Sequence, residues 1–217
     1  MEKSIRTVFA PHEYEKVIEK SRFLTYCAHV ESEESARAFL AEIRGKHTLA
    51  THVCYAFIAD KIGNLQRFSD DGEPQGTAGV PILEVLKNKK LFETAVAVVR
   101  YFGGVKLGAG GLVRAYSSSA AECLDGADIR LLEVCAEYTI FVDYTGVDSV
   151  QKYNSTHTCT LLSTEYGERV AFKVAVKKAE EEAFIRGLVD YMQGRVETRR
   201  GEEYYAPFAQ AKNEIGY

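Results

Sequence analysis

The sequence predicts an α+β chain of two domains, 1–135 and 136–217. Three observations predict it. The chain has 217 residues, 46% of them apolar and 27% charged, so two domains of about 100 residues each could bury roughly two thirds of their unfolded surface. The texture changes after residue 135. Beyond that point, strand and helix patterns follow in the order βαββαβ, a split-βαβ, ferredoxin-like arrangement.

Residues 13–30 (EYEKVIEKSRFLTYCAHV) are rich in Tyr, Phe and Val and predict one or two strands. A helix follows. Ser32 suits its N-cap, Glu33 and Glu34 lie in its first turn, and Ala36, Phe39, Leu40 and Ile43 share one face. Gly45 is the expected stop. Residues 51–59 predict a mostly buried strand and 64–69 a more polar hairpin partner across Asp60–Gly63. Residues 70–80 (DDGEPQGTAGV) are irregular, and Pro81 opens a short helix over 81–90. Residues 94–102 are apolar on both faces, which fits a central strand. After a second irregular segment (GGVKLGAGG, 103–111) comes a helix over 111–125, with Leu112, Ala115, Tyr116, Ser119 and Cys123 on one face.

In the second half, strands are expected at 137–142, 157–164, 169–177 and 195–205. The third alternates cleanly, with Val170, Phe172, Val174 and Val176 facing one way. Helices are expected over 145–155 and 179–193. The latter carries Glu180, Glu181 and Glu182 in its first turn, buries Ala183, Phe184, Leu188 and Met192, and is capped by Gly194. The tail after Pro207 is expected to be loosely held.

Lys plus Arg is 27 and Asp plus Glu 31, a net charge of −4. Binding to a polyanion through bulk charge is therefore disfavoured, whereas a local basic surface is allowed. Residues 86–116 supply one: Lys87, Lys89, Lys90, Arg100, Lys106 and Arg114 face only Glu93, and Asp70, Asp71 and Glu73 precede them. The cysteines, Cys27, Cys54, Cys123, Cys135 and Cys159, are odd in number and widely spaced, with no C-x-x-C. That is the pattern of buried thiols in a reducing cytoplasm, and it predicts no disulfide framework and no zinc site. The charged start lacks an apolar core, so no signal peptide is expected. No stretch approaches the length of a membrane span, and no membrane association is expected.

Two segments carry candidate chemistry. The first is RYFGGVKLGAGGLVRAYSSS (100–119). Gly103, Gly104, Gly108, Gly110 and Gly111 leave backbone amides uncovered at the opening of a helix, which is an anion-binding geometry. Arg100, Lys106 and Arg114 add charge, and Tyr101, Phe102 and Tyr116 offer faces on which bases could stack. The competing reading is tight turns, close helix–strand packing and core aromatics. No Walker loop or G-x-G-x-x-G is present. The second segment is SDDGEPQGTAG (69–79). Asp70, Asp71 and Glu73 could hold magnesium or act as acid or base. Alternatively, they form a hydrogen-bonded acidic turn. His52 and Cys54 share a strand face near His47, and His157 lies close to Cys159. With no third ligand or orienting acid in view, hydrogen-bonded structural histidines are expected.

At these two segments, DDGEPQGTAGVPIL (70–83) and RYFGGVKLGAGGLVRAY (100–116), the sequence resembles the IMPACT/YigZ family, bacterial two-domain type. KSRFLTYCAHV (20–30) and ATHVCYAF (50–57) extend the resemblance over about residues 14–125. It implies an N-terminal ribosomal protein S5 domain 2-like α/β sandwich, with a four-stranded sheet and two helices on one face. A ferredoxin-like second domain should follow. That pair resembles domains IV and V of elongation factor G. The family's eukaryotic members regulate translation and carry a different accessory domain not seen here, so the resemblance does not carry over their partner.

The reading that follows is a non-catalytic translation-associated factor that binds RNA or the ribosome and needs no cofactor. In it, Lys106 and Arg114 hold phosphates, Arg100 holds a phosphate or the acidic loop, and Tyr101 or Phe102 stacks. A protein partner in translational control is allowed, and nothing signals DNA specifically. The alternative is an enzyme acting on a phosphorylated small molecule or nucleotide. There the glycine segment would bind phosphate while Asp70, Asp71, Glu73 and neighbouring Thr77 work opposite. A third is a protein-interaction module whose GTAGVP (76–81) and GGVKLGAGG (103–111) loops dock a partner. In any of the three, Arg100 next to Asp70 or Asp71 could form only a structural ion pair that ties the two loops together.

Overall fold

Alternating burial along the opening strands sets the first sheet, which the computed structural model describes within residues 4–207. Strand β1 (Ile5–Val8) precedes β2 (His12–Ile18) and β3 (Ser21–His29), which pair as an antiparallel hairpin. The predicted strand region is thus two strands. Helix α1 (Glu33–Lys46) begins with a reciprocal cap in which the Ser32 hydroxyl accepts from the Ser35 amide and the Ser35 hydroxyl accepts from the Ser32 amide. Gly45 does not stop it. That glycine lies inside the helix, which ends at His47, whose ring is held by Tyr26 and Tyr101.

Strands β4 (His52–Ile58) and β5 (Gln66–Ser69) form the expected hairpin. The Asp60 carboxylate accepts from the amides of Gly63, Asn64 and Leu65 and so shapes its turn. Helix α2 (Gly79–Asn88) opens before Pro81, and β6 (Thr94–Tyr101) is buried along nearly its whole length. Helix α3 (Gly108–Gly126) starts inside the glycine segment, earlier than expected. Gly108, Gly110 and Gly111 are helical residues.

The sheet order is β2-β3-β6-β4-β5, antiparallel throughout. Helices α2 and α3 cover one face, with Ile82, Leu86 and Tyr116 packed on Phe23, Cys54, Val96 and Val98. Helix α1 covers the other, with Ala36, Leu40 and Ile43 against Val53, Phe57, Ala97 and Val99. This corrects the expectation of four strands with helices on a single face. Strand β6 is apolar on both sides, so each face needed a cover, and α1 supplies the second.

The chain changes unit at Arg130/Leu131, ahead of residue 135, because one long strand, β7 (Ile129–Val142), runs through the region. Helix α4 (Val147–Thr156), strands β8 (Cys159–Tyr166) and β9 (Val170–Lys177), helix α5 (Glu181–Tyr191) and strand β10 (Glu197–Pro207) complete the βαββαβ order. Within this unit the strands lie as β10-β7-β9-β8, antiparallel. Val170, Phe172, Val174 and Val176 are fully buried beneath Val150, Tyr153, Phe184, Leu188 and Met192. Ala183 is exposed instead of buried. A short 3-10 turn at Lys178–Glu180 precedes α5, and Phe184, Leu188 and Met192 carry the buried stripe with half-buried Ile185 packed against the same core. The tail beyond Pro207 lies outside the described residues.

Candidate functional site

The two glycine-containing segments meet through a buried ion pair. Arg100 leaves the end of β6 with only 4% of its surface exposed, and its Nη1 donates to Glu73 Oε1 at 2.6 Å. Tyr116, wholly buried on α3, donates its hydroxyl to the same oxygen at 2.7 Å. Burial pushes its phenol far up, so it stays protonated and a donor. Arg100 Nη2 donates to Ser21 Oγ at 3.3 Å, and that hydroxyl also accepts from the Gly103 amide at 3.1 Å. One cluster therefore ties β3, β6, α3 and the acidic loop together. Arg100 is a tether between the segments and does not face solvent, which corrects its expected place among the phosphate-binding residues.

The acidic loop is spent internally. Asp70 accepts from the amides of Gly76, Ala78 and Gly79 at 2.8–3.0 Å. It thereby caps α2, whose own N-cap residue, Ala78, has no side chain to do so. Burial opposes the Asp70 charge, but these three donors outweigh it and hold the carboxyl below its ordinary range. Asp71 likewise sits low: burial opposes its charge, and Arg44 at 2.8 Å and the Val53 amide at 2.6 Å more than compensate. Thr77 donates to the Pro74 carbonyl at 2.6 Å. With Glu73 Oε1 bound to Arg100 and Tyr116, all three acids are engaged by protein donors.

Two glycines have packing reasons. A Cβ on Gly79 would lie 2.8 Å from the Ser69 backbone, and one on Gly103 would lie 2.0 Å from the Lys20 carbonyl. Gly108 holds φ +68° at the first residue of α3.

The opening of α3 remains available. Its N-cap, Leu107, makes no capping hydrogen bond, and no acid lies in its first turn. A helix start leaves its first amides without intrahelical partners and carries partial positive charge. Arg114 runs back along the helix, with Nη1 3.6 Å from where a Gly110 Cβ would lie. Lys106 and Arg114 are exposed. They border a groove of about 490 Å³ whose other walls include Ile18, Glu19, Leu107 and Gly111. Of the local cations, Lys87 pairs with Glu84, Lys89 with Asp125 and Arg100 with Glu73. Lys90, Lys106 and Arg114 have no ion-pair partner among the described residues. Phe102 is 47% exposed, with the Arg100 guanidinium 5.4 Å from its ring centre. Tyr101 is half-buried, its hydroxyl 2.9 Å from His47 Nδ1. Gly104 is exposed.

The histidine–cysteine pairs are structural. His52 Nδ1 donates to the Asp71 carbonyl at 2.8 Å, and the Cys54 thiol donates to the Asp70 carbonyl at 3.0 Å. Burial pushes the Cys54 thiol up to about 12, which suits neither a nucleophile nor a metal ligand. His157 stacks on Tyr153 with ring centres 3.8 Å apart, and burial pushes Cys159 up to about 11. Sequence reasoning missed Ser21 and the polar role of Tyr116. A lone serine at a strand start and an aromatic on a helix's inward face carry no signal of a shared buried hydrogen-bond cluster.

Comparison with known proteins agrees with this architecture. Residues 19–124 match the Impact N-terminal domain, and residues 140–195 match a domain of unknown function, DUF1949. The chain is 38% identical over 199 residues to the IMPACT family member YvyE of Bacillus subtilis, covering 92% of each chain. It is 34% identical over 196 residues to the IMPACT family member YigZ of Escherichia coli, covering 89% of this chain and 96% of that one. A solved structure described as a crystal structure of an hypothetical protein superposes with a TM-score of 0.61 at 32% identity, covering 93% of this chain and 99% of that one. With both domains matched in order and relatives aligned nearly end to end, the chain belongs to the IMPACT family, in the two-domain bacterial form of YvyE and YigZ.

Proposed function

We propose that the protein is a non-catalytic, translation-associated factor that binds RNA, on its own or within the ribosome, through the opening of α3. The observation that carries this reading is a 19-residue helix with no side-chain cap and no acid in its first turn, with two exposed cations, Lys106 before it and Arg114 within it, that have no ion-pair partner among the described residues. A cation folded over a positive helix end is unfavourable unless an anion joins it. A phosphate there would accept from the free amides and from Lys106 and Arg114 together. Phe102, exposed nearby in sequence, supplies a face for an unstacked base. The architecture supports the same setting: the first unit reads as S5 domain 2-like with an added strand and an added helix, α1, on the second face, and the second as ferredoxin-like in its strand order, a pair similar to domains of elongation factor G.

The enzyme reading finds less support, since Asp70, Asp71, Glu73 and Thr77 are all engaged with protein donors or acceptors. The test is binding of a labelled single-stranded RNA, and of purified ribosomes, by wild type and by Lys106→Ala plus Arg114→Ala. Both positions are exposed, so the double variant keeps its melting temperature. Its affinity is expected to fall roughly tenfold or more. Unchanged affinity ends the assignment.

A further inference from the structure

We propose that His29, Glu31 and Glu93 bind a divalent transition-metal ion of the zinc type. His29 ends β3, Glu31 follows two residues on, and Glu93 lies in the turn before β6, where its carbonyl accepts from the Val30 amide at 2.8 Å. One donor atom from each residue falls within 4.8 Å of the other two. His29 Nε2 is 3.1 Å from Glu31 Oε1 and 3.8 Å from Glu93 Oε2. Such separations suit ligands sharing one ion at about 2.0–2.2 Å, with a small rotation of the exposed Glu31 side chain.

A residue outside the three aims the imidazole. Thr7, 1% exposed, places Oγ1 2.8 Å from His29 Nδ1. Its own proton has the Glu93 carbonyl at 3.1 Å, while the Thr94 hydroxyl donates to the Phe92 carbonyl at 2.8 Å. Thr7 Oγ1 is therefore placed to accept from Nδ1–H. That fixes the tautomer and turns the bare Nε2 lone pair toward two carboxylate oxygens, the outer-shell arrangement that metal-bound histidines have. A bare Nε2 lone pair facing two carboxylate oxygens is unfavourable until a metal ion or a proton sits between them. Lys61 does not fill this role: its ammonium lies 3.1 Å from Glu93 Oε1, the other oxygen, and lowers the charge of a side chain only 4% exposed. Glu93 Oε2 stays turned to His29. One nitrogen and two oxygens form a donor set that suits zinc or manganese. Side-chain exposures of 29% at His29 and 73% at Glu31 leave an entry path and room for water in the remaining positions.

A proton on Nε2 would satisfy the same lone pair, and the experiment separates the two. The full chain, stripped with a chelator, is titrated with Zn²⁺ by calorimetry and with Co²⁺ by visible absorption. Wild type is compared with Glu31→Ala and His29→Gln, both at solvent-accessible positions, and folding is checked by circular dichroism. The site predicts one equivalent of Zn²⁺ bound and a raised melting temperature. It also predicts at least tenfold weaker binding in Glu31→Ala and loss of the cobalt spectrum in His29→Gln. Absence of saturable one-to-one binding, wild-type affinity in both variants, or a thiolate charge-transfer band overturns it.

Discussion

An arginine only 4% exposed has given up its water, and that loss is offset only where its charge and hydrogen bonds are met. At Arg100 the charge is met by Glu73 and Nη2 by Ser21, with the Phe23 ring 5.4 Å away, while the buried Nε has no hydrogen-bond partner among the described residues. Truncating one partner strands the other. Arg100→Met or Glu73→Gln is expected to destabilise the first unit by about 3–5 kcal/mol, read from urea unfolding. Tyr116→Phe removes one donor to Glu73 and keeps the packing, so a smaller loss, about 1–3 kcal/mol, is expected. A drop below 0.5 kcal/mol (roughly, by the same scale) in Arg100→Met would mean that the pair does not hold the two segments. Gly103 belongs to this scale as well. Any side chain there collides with the Lys20 backbone, so Gly103→Ala is expected to disturb the β2–β3 hairpin end more than any of the exposed glycines would.

At the scale of elements, α3 carries the functional claim. Placing an acid in its first turn should favour the helix and disfavour the ligand. Ala109→Glu, at an exposed position, is expected to raise stability by about 0.3–1 kcal/mol while weakening RNA binding. Opposite signs in the two measurements are what distinguish an anion site from an ordinary helix start. In the second unit, α5 opens on Glu181, which Arg200 at 2.5 Å, together with Lys178 and Tyr138, holds down at about 2 against the opposing effect of burial. An unfolded glutamate titrates near 4.3. Its folded value is depressed, so its contribution is complete above that value and is lost as pH falls from about 4 toward 2. Glu181→Gln should flatten the acid limb of the stability profile in that window.

Much of the element order was legible because the inward stripes are clean, as with Ala36, Leu40 and Ile43 on α1 and the alternation of β9. Other features had no local signal. The turn between β2 and β3 is made by Glu19 and Lys20, both at positive φ, where glycine or asparagine would have announced it. The cap of α2 comes from Asp70, well before the helix, so no spacing rule could find it. The side of the sheet that α1 covers is set by chain path, not by its stripe. At the candidate site, Lys106 and Arg114 were legible as cations beside glycines. The burial of Arg100 was not, since a basic residue after an apolar strand reads as a strand end at the surface.

For the molecule as a whole, the charges give a plain criterion. The net charge of −4 offers no general attraction for a polyanion, so any RNA affinity must come from a local surface. Each phosphate neutralised on a single strand changes the logarithm of affinity by about −0.7 per logarithmic unit of salt. The measurement that bears most directly on the account is this salt slope for single-stranded RNA, taken on wild type and on the Lys106→Ala, Arg114→Ala double variant. Two phosphate contacts at α3 predict a wild-type slope of roughly −1.4 that collapses toward zero in the variant. A slope that is already flat in wild type, or that survives intact when both cations are gone, would contradict the claim that the opening of α3 holds RNA.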